Sequence, residues 1–318
     1  MNITLLYDKN HLLLAALAIF LNKFSMMKEF KFNPLRKILV PTDFSDNADH
    51  ALNYAAVLAS KLRSKLVLFH SVKFPVVAMN EMVVEVPDSQ LIKESNVKLE
   101  KLKHTIRGKQ VPVEIETSSS VGFAVDEIIN YCQSKKSDMI VMGTKGAHGL
   151  GELLLGSNTA EVIAKAKCPV LAVPPDAKVK DIKKILFATN YADNDFQSIF
   201  LLTEIFKPWN PEIIIVHVED PHNARTENSH FEHFKSQVMT SISYDKFYFN
   251  LLDGKNVEEA ISDFAIHNSI DIISVSARRR NLFEKLTGRS TTKKMSYHTH
   301  IPLLAFHAEQ VGGTPLFL

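Results

Sequence analysis

Three glycines and the polar residues beside them are the groups of this sequence best suited to hold a phosphate. Gly143 comes directly after a short apolar run, Gly146 follows three residues later, and Gly156-Ser157 opens a stretch with helical spacing. Glycine lets the backbone approach a ligand closely, and the unpaired N–H groups at a helix N-terminus attract anions. The pattern therefore predicts a polyphosphate site, with the Ser157 and Thr159 hydroxyls as further donors and a triphosphate as the obvious candidate.

Two better-known phosphate motifs do not match this stretch. Gly151-x4-Gly156-Ser157 has the spacing of a Walker loop, but Ser157 and Asn158 stand where that loop needs Lys and Ser or Thr. No G-x-G-x-x-G follows the first predicted strand, so the dinucleotide fingerprint is absent. Taken alone, the glycines are equally consistent with turns and a helix start. The rest of the sequence must distinguish this structural role from a phosphate site.

The elements that must position this stretch occur twice along the chain. Four segments of the first half return in the same order in the second half, which indicates a duplication. Paired by position, they are 35–47 with 182–194, 65–72 with 212–218, 138–142 with 271–275, and 169–173 with 302–306. We therefore predict two tandem domains joined by a short linker after Pro174-Pro175.

The repeats also place the domain boundaries. They are an N-terminal extension at 1–27, a nucleotide-binding domain at 28–175, a linker at 176–180, a second domain with a degenerate site at 181–310 and a tail at 311–318. Residues 12–21 form an apolar run of ten residues, too short to span a bilayer as a helix. Residues 1–26 are interpreted either as the product of a start codon assigned too early or as a genuine amphipathic extension.

Each copy alternates short apolar runs with amphipathic stretches. In the first copy the strands are predicted near 37–42, 66–71, 113–117, 139–143 and 170–173. Strands that alternate with helices imply right-handed βαβ crossovers and a mainly parallel sheet covered on both faces. The predicted fold class is therefore α/β, with two Rossmann-like domains in tandem. Ligands of such sheets bind beyond the carboxyl ends of the strands, which directs attention to 42–45, 71–73 and the stretch from Gly143.

Several of these segments resemble the universal stress protein family. The spacing Gly143-x2-Gly146-x9-Gly156-Ser157 resembles its nucleotide loop, segment 40–45 (VPTDFS) its first strand and segment 169–174 (PVLAVP) its last strand. The resemblance covers both halves, from about residue 28 to 307. It implies a five-stranded parallel sheet in each domain, and a role as an ATP-binding regulator of the stress response rather than a fast enzyme.

The resemblance assigns roles to the matching positions. Asp43 would lie near the ribose, although its carboxylate also suits a helix start with Ser45 as the N-cap. The base and sugar would be flanked by Pro41, Thr42, Ser71 and Met142, which also fit packing at strand ends. The ribose and phosphates would be admitted by Gly143 and Gly146 and held by Gly156, Ser157, Asn158 and Thr159. The implied cofactor is ATP; Mg²⁺ is left open because no carboxylate cage is visible.

The second copy departs from this pattern at the same positions. Asp43 corresponds to Asn190, Gly143 to Ser276 and Gly146 to Arg279, and Arg289 replaces Ser157 once Gly288 is aligned with Gly156. A long Arg279 side chain would stand where the backbone should approach the ligand, so we expect that the second domain does not bind ATP in the same way. His70 and His217 recur at the end of the second strand and are interpreted as structural.

The amino-acid composition limits the kinds of binding partner that the sequence predicts. A net charge of +2 over 318 residues gives no basic excess of the kind that nucleic-acid binders show. The two cysteines, Cys132 and Cys168, cannot build a disulfide framework and fit a reducing compartment. Cys132 falls on an apolar helix face and is interpreted as inert core. We expect a cytoplasmic protein that binds neither nucleic acid nor membrane.

Three functions remain open from the sequence. The first is a nucleotide-dependent regulator with an unidentified protein partner; the second is a slow ATPase or adenylyl-transferring enzyme; the third is an interaction module that binds no nucleotide. The intact first-copy motif favours binding, and no carboxylate or histidine pair is placed to activate water. The two copies are expected to pack as an intramolecular pseudo-dimer, with a further homodimer left open.

Overall fold

The computed structural model describes residues 34–73, 78–79, 82–83, 88–108, 111–144, 155–179, 181–192, 194–219, 224–277 and 300–307. The N-terminal extension, the tail, Gly146 and the second-copy residues Arg279, Gly288 and Arg289 lie outside the described residues.

The described part of the chain forms twelve strands and seven helices. Up to residue 173 they are β1 (Lys37–Pro41), α1 (Asp46–Leu62), β2 (Lys65–Val72), β3 (Ala78–Met79), β4 (Met82–Val83), α2 (Asp88–Gly108), β5 (Ile115–Val121), α3 (Ala124–Ser134), β6 (Met139–Gly143), α4 (Ser157–Lys165) and β7 (Val170–Val173). From residue 184 they are β8 (Lys184–Ala188), α5 (Asp195–Phe206), β9 (Glu212–Glu219), α6 (Ala224–Ser241), β10 (Phe247–Asp253), α7 (Val257–His267), β11 (Ile272–Ala277) and β12 (Leu303–His307).

Ten of these strands form one mixed sheet, which confirms the α/β class. Their order is β10-β9-β8-β11-β12-β7-β6-β1-β2-β5, so both halves arrange their strands in the same sequence around a central first strand. Neighbouring strands within each half are parallel, whereas β12 and β7 pair antiparallel, from Leu303 opposite Ala172 to Ala305 opposite Val170. The two sheets expected from the sequence are therefore continuous. This pairing covers the edge that each half would otherwise expose with unpaired backbone groups.

One predicted strand is shifted along the sequence. The third strand of the first half is β5 at Ile115–Val121 rather than 113–117, and it pairs with β2 along its whole length, from Leu66–Ile115 to Val72–Val121. The predicted strand ended at Thr117, because the three serines that follow lack the apolar character of the other strands. As the outermost strand, β5 needs only partial burial.

The core lies on both faces of the sheet, because helices cover both. Ile38 and Val40 pack into one hydrophobic cluster and Leu39 into the other, and all three are fully buried. An apolar run without alternation is what a strand buried on both faces requires. No helix among the described residues has the length and apolar content needed to cross a membrane.

A repeated carboxylate sets the start of the central strand in each half. Asp138, just before β6, accepts hydrogen bonds from the Arg36 and Lys37 amides, both at 2.8 Å. Asp271 does the same for the Lys183 and Lys184 amides at 2.7 and 2.9 Å. These hydrogen bonds fix the amino end of each central strand relative to its neighbour. The two halves differ instead at the carboxyl ends of these strands.

Candidate functional site

The candidate crevice of the first half is the carboxyl edge of the sheet between β1 and β6. The register between β1 and β2 runs over five residue pairs and ends with Pro41 beside Phe69. Between β1 and β6 it covers only two pairs, Ile38 with Met139 and Leu39 with Ile140. The connections from β1 and β6 leave in opposite directions across the sheet, which is the switch point where ligands of such folds bind.

Pro41 explains why the hydrogen-bonded ladder between β1 and β6 is short. The Thr42 amide donates to the Phe69 carbonyl on β2 at 2.8 Å. Successive residues of a parallel strand direct their amides to opposite neighbours, so the nitrogen of Pro41 faces β6. Proline has no N–H, and the hydrogen-bonded ladder to β6 cannot continue past it.

The chain leaves β1 through a turn that its own polar side chains hold. The hydroxyl of Thr42 accepts from the Phe44 amide at 3.0 Å, and Phe44 has a positive φ of 63°. The Asp43 carboxylate accepts from the amide and hydroxyl of Ser45 at 3.1 and 2.6 Å. Ser45 in turn caps α1 by accepting from the Ala48 amide, which confirms its predicted role. Asp43 is exposed, so its carboxylate supports this turn from the protein surface.

His70 fixes the end of β1 from the neighbouring strand. Its Nδ1 lies 2.7 Å from the Thr42 carbonyl oxygen, which can only accept, so Nδ1 carries the proton. Burial is the main cause that lowers the pKa of His70, and the ring lies against Phe44 with 4.5 Å between centroids. His217 makes the matching bond to Thr189 in the second half, at 2.8 Å. The recurrence of the two histidines in the sequence was the signal for this structural role.

Ser71 and Met142 lie on either side of the strand that ends at Pro41. The Ser71 hydroxyl donates to the Gly122 carbonyl at 2.9 Å and so ties β2 to the chain that follows β5. Met142 is buried, and the β1–β6 register continued past Leu39 places it level with Pro41. Pro41, Thr42, Met142 and Gly143 thus share one edge of the crevice, with Ser71 one strand away.

Helix α4 begins at the same edge. The Gly156 amide donates to the Thr144 carbonyl, and the Thr159 hydroxyl donates to the Gly143 carbonyl at 2.8 Å. Thr159 is buried, so its hydroxyl positions the helix against β6. Gly156 supplies no side-chain cap, and Ser157 and Asn158 are exposed at the first turn.

A buried hydroxyl and the uncapped helix start define what this edge could bind. The hydroxyl oxygen of Thr144 is buried and has no hydrogen-bond partner among the described residues. Buried polar atoms without partners are rare in proteins and call for an explanation. Nowhere in the described ranges does a cluster of three or more His, Cys, Asp or Glu side chains form a metal-binding group. Gly146 was predicted to complete the site and lies outside the described residues.

Comparison with known proteins agrees with this architecture. The model of the universal stress protein family matches residues 34–174. A universal stress protein from Methanocaldococcus jannaschii is 36% identical over 153 residues, which cover 46% of this chain and 86% of the relative. The universal stress protein YxiE from Bacillus subtilis is 34% identical over 144 residues, covering 43% and 97%. The chain belongs to the universal stress protein family.

A solved structure extends the likeness of fold to both halves of this universal stress protein. A universal stress protein from Archaeoglobus fulgidus superposes with a TM-score of 0.64 and covers 87% of this chain and 100% of its own, at 17% sequence identity. At that identity the likeness concerns the fold alone. The second half therefore shares the fold, and its own residues must show whether it shares the site.

In the second half of this universal stress protein, the hydrogen-bonded ladder between β8 and β11 is longer than that between β1 and β6. Their register continues for two further pairs, Phe187 with Ser274 and Ala188 with Val275. Ala188 stands where Pro41 stands in the first half and has the amide that proline lacks. The hydrogen-bonded ladder between the central strands therefore reaches the carboxyl end of β8.

Buried polar side chains fill the corresponding space. Asp195 is 1% exposed, and its Oδ2 accepts from the Thr189 hydroxyl at 2.7 Å and from the Asn190 and Ala192 amides at 3.2 and 3.1 Å. The Ser198 and Ser276 hydroxyls are hydrogen-bonded at 2.8 Å. In the first half these three positions are small and apolar; they are Ala48, Ala51 and Gly143. At these three positions the second half therefore has a buried carboxylate and two hydroxyls, where the first half has no polar side chain.

Asp195 gives the second half a measurable pH dependence. Burial raises the pKa of its carboxyl, and hydrogen bonds from Thr189, Ser276 and the backbone offset part of this effect. Below the ordinary Asp range the proton is bound in both folded and unfolded chains. Between the ordinary Asp pKa and the raised pKa, the unfolded chain has released this proton while the folded chain still holds it. The free energy of unfolding therefore falls as the pH rises through this range.

We expect Asp195→Asn to be at least as stable as the wild type at neutral pH, because the neutral amide avoids the cost of a buried charge. Its stability relative to the wild type should increase from about pH 4 to about pH 8. Denaturant unfolding of both proteins across this range measures the difference. Asp195→Ala is the control, and by leaving donors unpaired it should lose roughly 1–3 kcal/mol. If the stability of Asp195→Asn relative to the wild type decreased as the pH rises, the assignment would be contradicted.

Proposed function

We propose that the first half of this universal stress protein binds ATP in the crevice between β1 and β6, and that the bound nucleotide regulates contacts with a partner in the stress response. The observation that carries the proposal is the switch point between β1 and β6, where the ladder ends at Leu39 and α4 begins without a side-chain cap among the described residues. A buried strand end and the exposed Asp43 carboxylate follow β1, and the first turn of α4 follows β6. The residue roles implied by the family resemblance belong to this proposal.

The donors and acceptors of the crevice suit the three parts of ATP. Pro41 and Met142 offer apolar surface for a base. Asp43 presents an exposed carboxylate, which accepts hydrogen bonds as ribose hydroxyls require. The first turn of α4, with Gly156, Ser157 and Asn158, offers amides and a positive dipole end to phosphates. Gly143 and Gly146 would leave room for the backbone to approach, and any Mg²⁺ would take most of its ligands from the phosphates and water.

The side chains at this edge favour a regulator over an enzyme. His70 is held neutral, with its Nδ1 proton committed to the Thr42 carbonyl. Asp43 already accepts two hydrogen bonds from Ser45. Neither group is placed by the described contacts to move a proton at the γ-phosphate, as rapid hydrolysis would require.

We also propose that the two halves are separate domains, at 28–175 and 181–310, that pack as an intramolecular pseudo-dimer. The equal strand order on either side of the antiparallel β7–β12 pair supports this division. His307 bonds to the Ala164 carbonyl at 3.2 Å, and His50 bonds to the Ala177 carbonyl at 2.8 Å in the predicted linker. Only the first domain would carry nucleotide.

Gly156→Asp tests the position of the phosphates. Gly156 has φ −58° and ψ 150°, which any residue adopts, and Asp is a favourable N-cap, so the variant should fold normally. Its carboxylate would repel and crowd the phosphates, and we expect ATP affinity to fall at least about 100-fold. Isothermal titration of the full chain measures this, with thermal unfolding as the folding check.

Gly156→Ser is the matched control, since it adds a side chain and a cap without charge and should retain most of the affinity. Normal binding by the Asp variant would disprove the site. Turnover of ATP by the wild type separates the functions. Binding with negligible hydrolysis supports the regulator and multiple turnovers support a slow enzyme, whereas no binding by the wild type leaves an interaction module.

Asp43→Ala tests the ribose contact, and the duplicated chain supplies its control. Loss of a charged acceptor should weaken ATP binding by about 10-fold to 100-fold. Asn190→Ala changes the equivalent residue of the second half and should leave the affinity unchanged. Titration of both variants and the wild type with ATP measures these affinities. An equal loss of ATP affinity at the two positions would contradict a site confined to the first half.

A further inference from the structure

The two cysteines of the chain meet inside the first half. Cys132 lies in the last turn of α3 and Cys168 lies just before β7, 36 positions away. Their Sγ atoms are 3.0 Å apart, and the residues are 4% and 2% exposed. The sequence interpretation treated Cys132 as inert core, because nothing local connects it with Cys168.

The contacts around the pair identify it as a dithiol. The Cys132 thiol donates to the Ser137 carbonyl at 3.6 Å, which leaves the Cys168 thiol to donate to the Cys132 sulfur. Both side chains belong to the hydrophobic cluster on one face of the sheet. Within the described ranges no third His, Cys, Asp or Glu joins them to make a metal-binding group.

We propose that Cys132 and Cys168 form a thiol–disulfide couple that hydrogen peroxide oxidises. The two sulfurs need to approach by only about 1 Å to reach the length of an S–S bond, about 2.05 Å. In the first step one thiol loses its proton and the thiolate attacks peroxide; the O–O bond breaks, a sulfenic acid forms, and the displaced hydroxide takes up the proton to give water. The second thiol then attacks the sulfenic sulfur and displaces a second water. Two thiols and one peroxide thus give one disulfide and two waters.

Burial controls how fast the couple reacts. The hydrogen bond to Cys132, together with burial, raises the pKa of the Cys168 thiol, so little thiolate is present near neutral pH. The oxidation therefore accelerates as the pH rises. A small uncharged oxidant suits a pair in an apolar cluster better than a charged or bulky disulfide does.

The bond would stabilise the first half without touching the proposed nucleotide site. It closes a loop of chain that contains β6 and α4, which restricts the unfolded state more than the folded one. The pair lies at the amino end of β7, whereas the crevice lies at the carboxyl end of the five-residue strand β6, roughly 16 Å along the sheet. The inference is therefore independent of ATP binding.

The experiment compares the full chain before and after peroxide. The reduced protein is incubated with hydrogen peroxide, cleared of oxidant with catalase, unfolded in an alkylating reagent and analysed by peptide mass spectrometry. We expect an intramolecular Cys132–Cys168 peptide, faster formation at higher pH, and reversal by dithiothreitol. The unfolding midpoint should rise by about 5 °C or more on oxidation.

Cys132→Ala and Cys168→Ala each leave one thiol, and neither should show the midpoint rise. The comparison of oxidised with reduced wild type stands even where a variant fails to fold. The proposal is overturned if both wild-type thiols remain fully alkylated, if they oxidise to sulfinic acids without a linked peptide, or if the links join different chains. A linked pair with an unchanged midpoint contradicts it as well.

Discussion

The hydrogen bond that Pro41 cannot donate to β6 is the constraint on which the proposed site depends. The ladder between β1 and β6 therefore ends at Leu39, and α4 begins at the carboxyl end of β6. In the second half Ala188 keeps the ladder closed up to Val275, and Asp195 fills the space with its own hydrogen bonds. One duplicated fold thus carries two differently hydrogen-bonded forms of the same edge.

Much of this arrangement could be predicted from local patterns. The repeats, the parallel strands and the N-cap at Ser45 each follow from a few neighbouring residues. The resemblance of the glycine loop and of segments 40–45 and 169–174 to the universal stress protein family was sufficient to identify the family. Loss of the glycines at positions 276 and 279 was also visible in the sequence. The predicted site residues that the structure describes do come to one edge of the sheet.

Other features depend on long-range contacts that sequence patterns do not encode. The antiparallel pairing of β7 with β12 joins residues about 130 positions apart and merges the expected separate sheets. Thr159 was expected to hold phosphate, but only the folded chain shows its hydroxyl bound to Gly143. The change from Ala48 to Asp195 was readable in the aligned repeats, yet its meaning required knowing that the side chain is buried. The contact between Cys132 and Cys168 likewise exists only in three dimensions.

The most direct test of an open first site and a closed second one is amide hydrogen exchange of the full chain with and without ATP. We expect slower exchange with ATP at the start of α4, residues 156–159, and around Asp43 and Thr144. Exchange at Asn190 and Ser276 should be unchanged. Protection at the second-half positions, or no protection at either edge at saturating ATP, would contradict the account.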